Sequence, residues 1–171
     1  MFMAYWQVQS LTREIHELEM QAMRTRTRLS HYQKYAGRLG GSAYLRAHDV
    51  SGMSAELLPR ATMFAQFSEQ ASSMNAMQQL QMMKASGMIP WLNNPMMQGQ
   101  YEMSAFYQFK EQSMKALKQQ EIDAMSEIEK EIELELNQIE TRLKEKRAMK
   151  ESCENLLKEQ VQNFVPKFGL G

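Results

Sequence analysis

Apolar residues recur along the first forty positions with the alternating three- and four-residue spacing of a coiled-coil heptad. One heptad position holds Met1, Val8, Ile15, Ala22, Leu29 and Ala36, and the other holds Ala4, Leu11, Leu18, Thr25, Tyr32 and Leu39. Gly37 and the Gly40-Gly41 pair suit the C-terminus of a helix. The pattern therefore predicts a first helix at about residues 3–38, with a coiled-coil-like seam.

A second apolar pattern follows a connection that contains Gly and Ser, and it predicts a helix at about residues 55–86. Ser51 or Ser54 suits the cap of this helix, and Pro59 suits its first turn. We expect its packed face to be formed by Phe64, Phe67, Ala71 and Met74, and then by Met77, Leu80 and Met83. Gly87 is typical of a residue that ends a helix, so the second helix stops before it.

Residues 87–99 form a Met- and Pro-rich turn that leads to a third helix. The Asn-Asn-Pro sequence in it indicates a turn or an asparagine cap, because proline disfavours the helical conformation of the preceding residue. The third helix is predicted at about residues 100–163, and an apolar tail follows at 164–171. The predicted seam of this helix is Phe106, Phe109 or Lys110, Met114, Leu117, Ile122, Met125, Ile128, Ile132, Leu136, Ile139 and Leu143, continued more weakly by Met149, Cys153, Leu156 and Leu157.

These three patterns predict an all-α protein: an elongated three-helix up-down-up bundle with coiled-coil-like seams, in one helical domain over residues 1–171. Up-down-up order makes the first and third helices parallel, so we expect Arg26 near Glu127. The third helix is longer than the first and is expected to project beyond the bundle. Residues 141–163 then lack a cover within the chain, and a partner subunit is the natural cover.

Acidic and basic residues balance at 20 each, so there is no basic excess of the kind that nucleic-acid binders carry. The charges are nevertheless separated along the chain, because RTRTR at 24–28 is basic and the segment 121–140 holds eight acidic residues. The residues predicted to form charge pairs are Arg24, Arg26, Arg28, Glu127, Glu131 and Glu135. Such pairs set the register of helices, within one chain or between two chains. A phosphate site at the arginines is the less favoured interpretation.

No catalytic motif is recognisable in the sequence. His16, His31 and His48 have no accompanying residues typical of nucleophilic catalysis, and we expect them in solvent. Cys153 is the only cysteine, which excludes an intrachain disulfide, and its seam position favours a buried, inert thiol. The acidic face lacks the Glu-x-x-His pairs of di-iron bundles. We therefore predict no enzyme activity, no metal and no cofactor.

Methionine occurs 17 times in the chain and is crowded around the predicted turn. Thioethers suit Cu(I), but the His or Cys that usually accompanies them is not near. Unbranched Met side chains also form adaptable binding surfaces. Packing in the chain's own core and turn is the favoured interpretation, and a partner surface is the alternative. The candidate partner surface, with residues of the C-terminal segment, is Met77, Met82, Met83, Met88, Trp91, Met96, Met97, Leu156, Leu157, Phe164 and Phe168.

The sequence favours a non-enzymatic structural or assembly protein, a subunit of a larger helical assembly such as a secretion apparatus, a filament or a virion. We expect a protein partner, through self-association or a second helical protein, with no nucleic acid and no small-molecule substrate. The alternative is a chaperone or adaptor that binds apolar segments at the Met-rich bundle end. No signal peptide and no membrane span of about 18 apolar residues is evident, so we expect a cytoplasmic protein or export by a signal-independent route.

Overall fold

The computed structural model describes residues 2–41, 55–90 and 93–164, and these residues form three α-helices and no strand. The helices are α1 (Phe2–Gly41), α2 (Leu58–Ala85) and α3 (Pro95–Phe164). The predicted all-α class and the three helices are confirmed. α3 runs without interruption for 70 residues. The predicted capping residues Ser51 and Ser54 lie outside the described residues.

The end of α2 is fixed by glycine, as predicted. Gly87 has a φ of 70°, a conformation that glycine adopts without steric cost. Its N–H donates to the carbonyl of Lys84 at 3.2 Å, and the N–H of Met88 donates to the carbonyl of Met83 at 3.0 Å. These two bonds are those of a Schellman motif, which satisfies the last carbonyls of the helix.

The start of α3 is fixed by an asparagine cap, and it lies five residues before the predicted start at residue 100. The Asn94 side-chain oxygen accepts the N–H of Met96 at 3.0 Å, and the Asn94 carbonyl accepts the N–H of Gln98 at 3.0 Å. Pro95 takes the first helical position, where its missing N–H has no helical partner to lose. The predicted turn at 87–99 is correspondingly too long.

Contacts within the chain group it into two compact units. Unit 1 holds the chain up to Ser30 and from Lys130 onwards, and unit 2 holds His31–Glu129. α1 and α3 contribute residues to both units, whereas α2 lies wholly in unit 2. The single domain over residues 1–171 stays a prediction.

In unit 1, α1 and α3 run antiparallel. Arg26 of α1 pairs with Glu140 of α3 at 2.6 Å, whereas Glu14, which comes earlier in α1, pairs at 2.6 Å with Lys146, which comes later in α3. The buried side chains of this unit are Ala22, Thr25, Ile132 and Ile139, all of them predicted seam positions. The expected parallel pairing of the first and third helices, with Arg26 near Glu127, is therefore wrong.

The expectation that residues 141–163 lack a cover within the chain is wrong for the first part of that range. Lys146 pairs with Glu14, and Arg147 donates to Glu19 at 2.6 Å, so α1 lies alongside this part of α3. The antiparallel arrangement brings the beginning of α1 next to the end of α3. Farther along α3, however, Leu156 and Val161 are 53% and 47% exposed.

In unit 2, α2 buries small side chains. Its buried residues are Ala61, Ser68, Ser72 and Ala76. The Ser68 and Ser72 hydroxyls donate to carbonyls of their own helix, at 3.3 and 3.0 Å, so these buried donors are satisfied. The other buried apolar residues of unit 2 are Tyr32, Tyr35, Leu39, Leu57, Met114 and Met125. The packed face predicted for α2 is wrong for Phe67, Met74 and Met77, which are exposed. Its other predicted members, Phe64, Ala71, Leu80 and Met83, are half-buried.

α2 and α3 are also antiparallel within unit 2. Arg60, near the start of α2, pairs with Glu121, whereas Lys84, near its end, pairs with Glu102. Among the described residues, no helix combines the length and the apolar character that crossing a bilayer requires.

Candidate interaction surface

Four large apolar side chains of α2 point into solvent, whereas Phe64 is half-buried. Met63, Phe67, Met74 and Met77 are 70%, 62%, 64% and 57% exposed, and we call them the α2 strip. Spacings of four, seven and three residues place them on one side of a helix with 3.6 residues per turn. The buried small residues lie about half a turn around the helix from them. α2 therefore turns its small face inward and its large apolar face outward.

The neighbourhood of the α2 strip has few charges. Residues 61–109 contain three charged residues among 49, Glu69, Lys84 and Glu102, whereas 23% of the whole chain is charged. Lys84 and Glu102 pair with each other, and the Lys84 ammonium lowers the pKa of Glu102. Gln70 is exposed between the two halves of the strip. Exposed apolar side chains among uncharged polar ones are typical of a protein-protein contact surface.

A second apolar strip lies at the beginning of α3. Met96, Met103 and Tyr107 are each more than half exposed, and their spacing of seven and four residues places them on one helix face. The Tyr107 ring packs edge-on against Phe106 with ring centres 5.7 Å apart. We call these three residues the α3 strip. Unit 2 thus has two outward apolar strips, on different helices.

The structure divides the predicted partner surface into three groups. More than half exposed are Met77, Met82, Met88, Met96, Met97 and Leu156. Half-buried are Met83 and Leu157. Outside the described part are Trp91, Phe168 and the side chain of Phe164. The favoured interpretation of the methionines as core and turn packing is wrong for the exposed ones, because a side chain in a core is removed from solvent.

The predicted charge pairs are only partly brought together. Arg28 and Glu135 are 3.8 Å apart, whereas Arg26 pairs with Glu140, which sequence reasoning did not select. Within the described residues, Arg24, Glu127 and Glu131 form no ion pair. The arginines face the end of the acidic segment and not its start, as the antiparallel order requires. These pairs lie inside unit 1, so they join two helices of one chain.

Sequence reasoning also missed a polar cluster in unit 2. Glu121 accepts hydrogen bonds from Arg60 Nε at 2.6 Å and Arg60 Nη2 at 3.1 Å, and from the Tyr35 hydroxyl at 3.3 Å. Burial, and then the charge of Glu121, raises the pKa of Tyr35 well above its ordinary value. The hydrogen bond to Glu121 raises the pKa of Arg60. Tyr35 therefore stays protonated and Arg60 stays charged at neutral pH, and the cluster links the helices of unit 2. The feature of the sequence that could have indicated this cluster is Arg60, because it is the only basic residue between residues 55 and 83.

The other features of the described residues that could take part in chemistry do not lie together at one site. A cleft of about 660 Å³ in unit 2 is lined in part by Leu39, Tyr107, Met114 and Lys118, and burial lowers the pKa of Lys118. Across the described ranges, no three His, Cys, Asp or Glu side chains are placed to hold a metal ion. Cys153 is half-buried.

The three histidines were predicted to lie in solvent, and the structure shows this for one of the two that it describes. His16 is exposed, His31 is half-buried, and His48 lies outside the described residues. No protein-family model, curated protein or solved structure matches this chain.

Proposed function

We propose that this chain is a non-enzymatic assembly protein, a subunit that associates with protein partners through the outward apolar face of its helices in unit 2. Larger helical assemblies of the kind found in secretion apparatus, filaments or virions are built from such subunits. No nucleic acid, cofactor or small-molecule substrate takes part in the proposed role.

The α2 strip is the observation that carries this proposal. Four large apolar side chains on one helix face are each more than half exposed, among residues that are almost free of charge. Removing apolar surface from water is the main favourable contribution to protein association. A solvated helix face ordinarily carries charged or polar residues opposite its packed face, and α2 has methionine and phenylalanine there.

The ion pairs between α1 and α3 in unit 1 differ from the α2 strip, and this difference supports the same assignment. Its opposite charges meet within the chain, as in the pairs of Glu14 with Lys146 and Glu19 with Arg147. Exposed pairs of this kind contribute little to stability and mainly set the register of the helices. These four charged side chains of unit 1 thus have partners within the chain, whereas the members of the α2 strip are each more than half exposed.

Light scattering across a concentration series tests the proposal. The wild-type chain is expected to increase in mass with concentration, and a Phe67→Gln, Met74→Gln variant is expected to remain monomeric. The matched control is Met23→Gln, Met149→Gln, which changes two exposed methionines of unit 1 and is expected to associate like the wild type. A wild-type chain that stays monomeric at every concentration would contradict self-assembly.

The second candidate function is a chaperone or adaptor that binds apolar segments of another protein. It is favoured by the exposed methionines near the α2–α3 connection, Met82, Met88, Met96 and Met97, because methionine surfaces adapt to varied apolar partners. This role predicts a monomer that binds a synthetic amphipathic peptide with a Leu- and Phe-rich face. A Met96→Gln, Met97→Gln variant should then lose binding while its helix content is unchanged.

A further inference from the structure

The α2 strip is nearly symmetric about its centre. Its members lie at seven and three residues before Gln70 and at four and seven residues after it. When such a helix is reversed end to end, Met63 takes the place of Met77 and Phe67 takes the place of Met74, within one residue. A two-fold contact requires this symmetry. If Met63 of the first copy contacts Met77 of the second, then Met77 of the first copy must also contact Met63 of the second.

The centre of the strip is also compatible with its own copy. Gln70 carries both a donor and an acceptor in its amide, so two Gln70 side chains can hydrogen-bond to each other. On either side of it, Phe67 would meet Met74, and sulfur-aromatic contacts of this kind are favourable. The strip itself holds no charged residue, so no like charges are buried between its members. The nearest charged residue, Glu69, is exposed at the side of the strip.

The exposed area is sufficient for a specific contact. Aromatic side chains have roughly 150–250 Å² each to bury. With about 200 Å² as an upper value for each of its four members, the strip at the observed exposures offers up to roughly 500 Å² in each copy. Two copies together approach about 1,000 Å², the lower bound for a specific interface. Exposed, uncharged neighbours such as Gln66 and Gln78 enlarge this area.

We propose that two copies of this chain associate through their α2 strips, antiparallel, about a two-fold axis that passes close to Gln70. This inference rests on the proposed assembly function and specifies its partner and contact. Met63 of one copy packs near Met77 of the other, and Phe67 packs near Met74. The α3 strip takes no part in this contact.

Cysteine cross-linking tests the geometry. Packed helices have axes about 8–10 Å apart and Cα atoms about 2.3 Å from each axis, so the two Gln70 Cα atoms come within disulfide reach. In a Cys153→Ala background, a Gln70→Cys chain is expected to become mostly a disulfide-linked dimer with oxidised glutathione. A chain with both Met63→Cys and Met77→Cys is expected to do the same.

The controls separate this contact from random collision. Met63→Cys alone and Met77→Cys alone should cross-link poorly, because the two copies of each position lie about 14 residues, or roughly 20 Å, apart along the helices. Met23→Cys places a thiol of similar exposure in unit 1 and should give only background dimer. Circular dichroism checks that every variant keeps the helix content of the wild type.

Light scattering on the same wild-type chain distinguishes the two ways of failing. If the chain associates but Gln70→Cys cross-links no more than Met23→Cys, the two-fold α2 contact is overturned and the assembly function stands. Cross-linking between a Gln70→Cys chain and a Met103→Cys chain would then show that the α2 strip of one copy contacts the α3 strip of another. If the chain stays monomeric at every concentration, the assembly function itself is overturned, and the contact with it.

Discussion

Arg60 and Glu121 form a two-bond ion pair that joins α2 to α3. Nε of Arg60 lies 2.6 Å from Oε1 of Glu121, and Nη2 lies 3.1 Å from Oε2. The Glu121 side chain is only 14% exposed, which reduces the competition of water for these bonds. The planar guanidinium matches the carboxylate in both distance and direction, which an ammonium cannot do. The pair therefore fixes where α2 lies along α3 in unit 2.

Loss of this carboxylate should destabilise the chain. Glu121→Gln removes the negative charge that faces Arg60, and hydrogen bonds to charged groups are worth about 1.5–3 kcal/mol. We expect a decrease of about that size in the free energy of unfolding, measured with urea. Arg26→Gln is the control, because its pair with Glu140 is exposed and should contribute about 0–1 kcal/mol. Equal effects of the two substitutions would contradict the role of the half-buried Arg60–Glu121 pair.

Tyr35 should make the stability of the chain sensitive to alkaline pH. Its pKa is raised above the ordinary value of 10.0 by burial and by Glu121. The native state therefore holds the phenol proton more tightly than the unfolded state, and stability falls as pH rises above about 10. Tyr35→Phe removes this titration and the hydroxyl bond to Glu121. The variant is expected to lose about 1 kcal/mol at neutral pH.

Urea unfolding from neutral pH to about pH 11 measures the alkaline contribution as the difference between wild type and Tyr35→Phe. The gap between the two free energies should narrow as pH rises through the tyrosine range. Tyr5 is exposed, so Tyr5→Phe is the matched control and should leave the wild-type curve unchanged. A gap that stays constant with pH would show that the Tyr35 phenol does not contribute through its proton.

The sequence predicted the seam of α1 well but not the packed face of α2. Ala22, Thr25, Tyr32 and Leu39 are buried as the heptad requires, because only one face of α1 has periodic apolar residues. α2 has two periodic faces, one of large and one of small residues, and sequence reasoning chose the large one. Small residues let helices approach closely, so they can occupy a packed face although each buries little area. The periodicity of a helix does not by itself show whether its large-residue face or its small-residue face is packed.

The direction of α1 along α3 was also beyond the sequence argument. Complementary charge blocks attract in either direction, because a cluster of arginines can meet the start or the end of an acidic segment. The parallel order placed Arg26 near Glu127, and the structure places it 2.6 Å from Glu140. Individual exposed pairs are worth too little to decide the orientation of two helices. The apolar seam allowed both directions.

Exchanging the charges of Arg26 and Glu140 should show that α1 and α3 are antiparallel in unit 1. Arg26→Glu places a carboxylate opposite Glu140 and is expected to lower the thermal midpoint. Adding Glu140→Arg should restore most of the loss, whereas adding Glu127→Arg should not. The coupling between positions 26 and 140 is expected to be at most about 1 kcal/mol and to weaken in high salt. A double-mutant cycle measures it. Restoration by the Glu127 substitution would instead support the parallel order.

The small buried face of α2 should not tolerate a large side chain. Ser72 is fully buried, and its hydroxyl donates to the Glu69 carbonyl of the same helix. Ser72→Leu adds volume where none is available, and overpacking costs about 1–3 kcal/mol. Ser72→Ala removes the hydroxyl without adding volume, and alanine favours helix, so we expect little change or a slight gain in stability.

The comparison of the two Ser72 variants separates close packing from the serine hydroxyl. Ala148→Leu, at an exposed position of α3, controls for the effect of leucine itself and should change the free energy of unfolding by less than about 0.5 kcal/mol. If Ser72→Leu were as harmless as Ala148→Leu, that side of α2 would have room for a large side chain. The outward orientation of Phe67 and Met74 would then have no packing reason, because the opposite face would accept residues of their size.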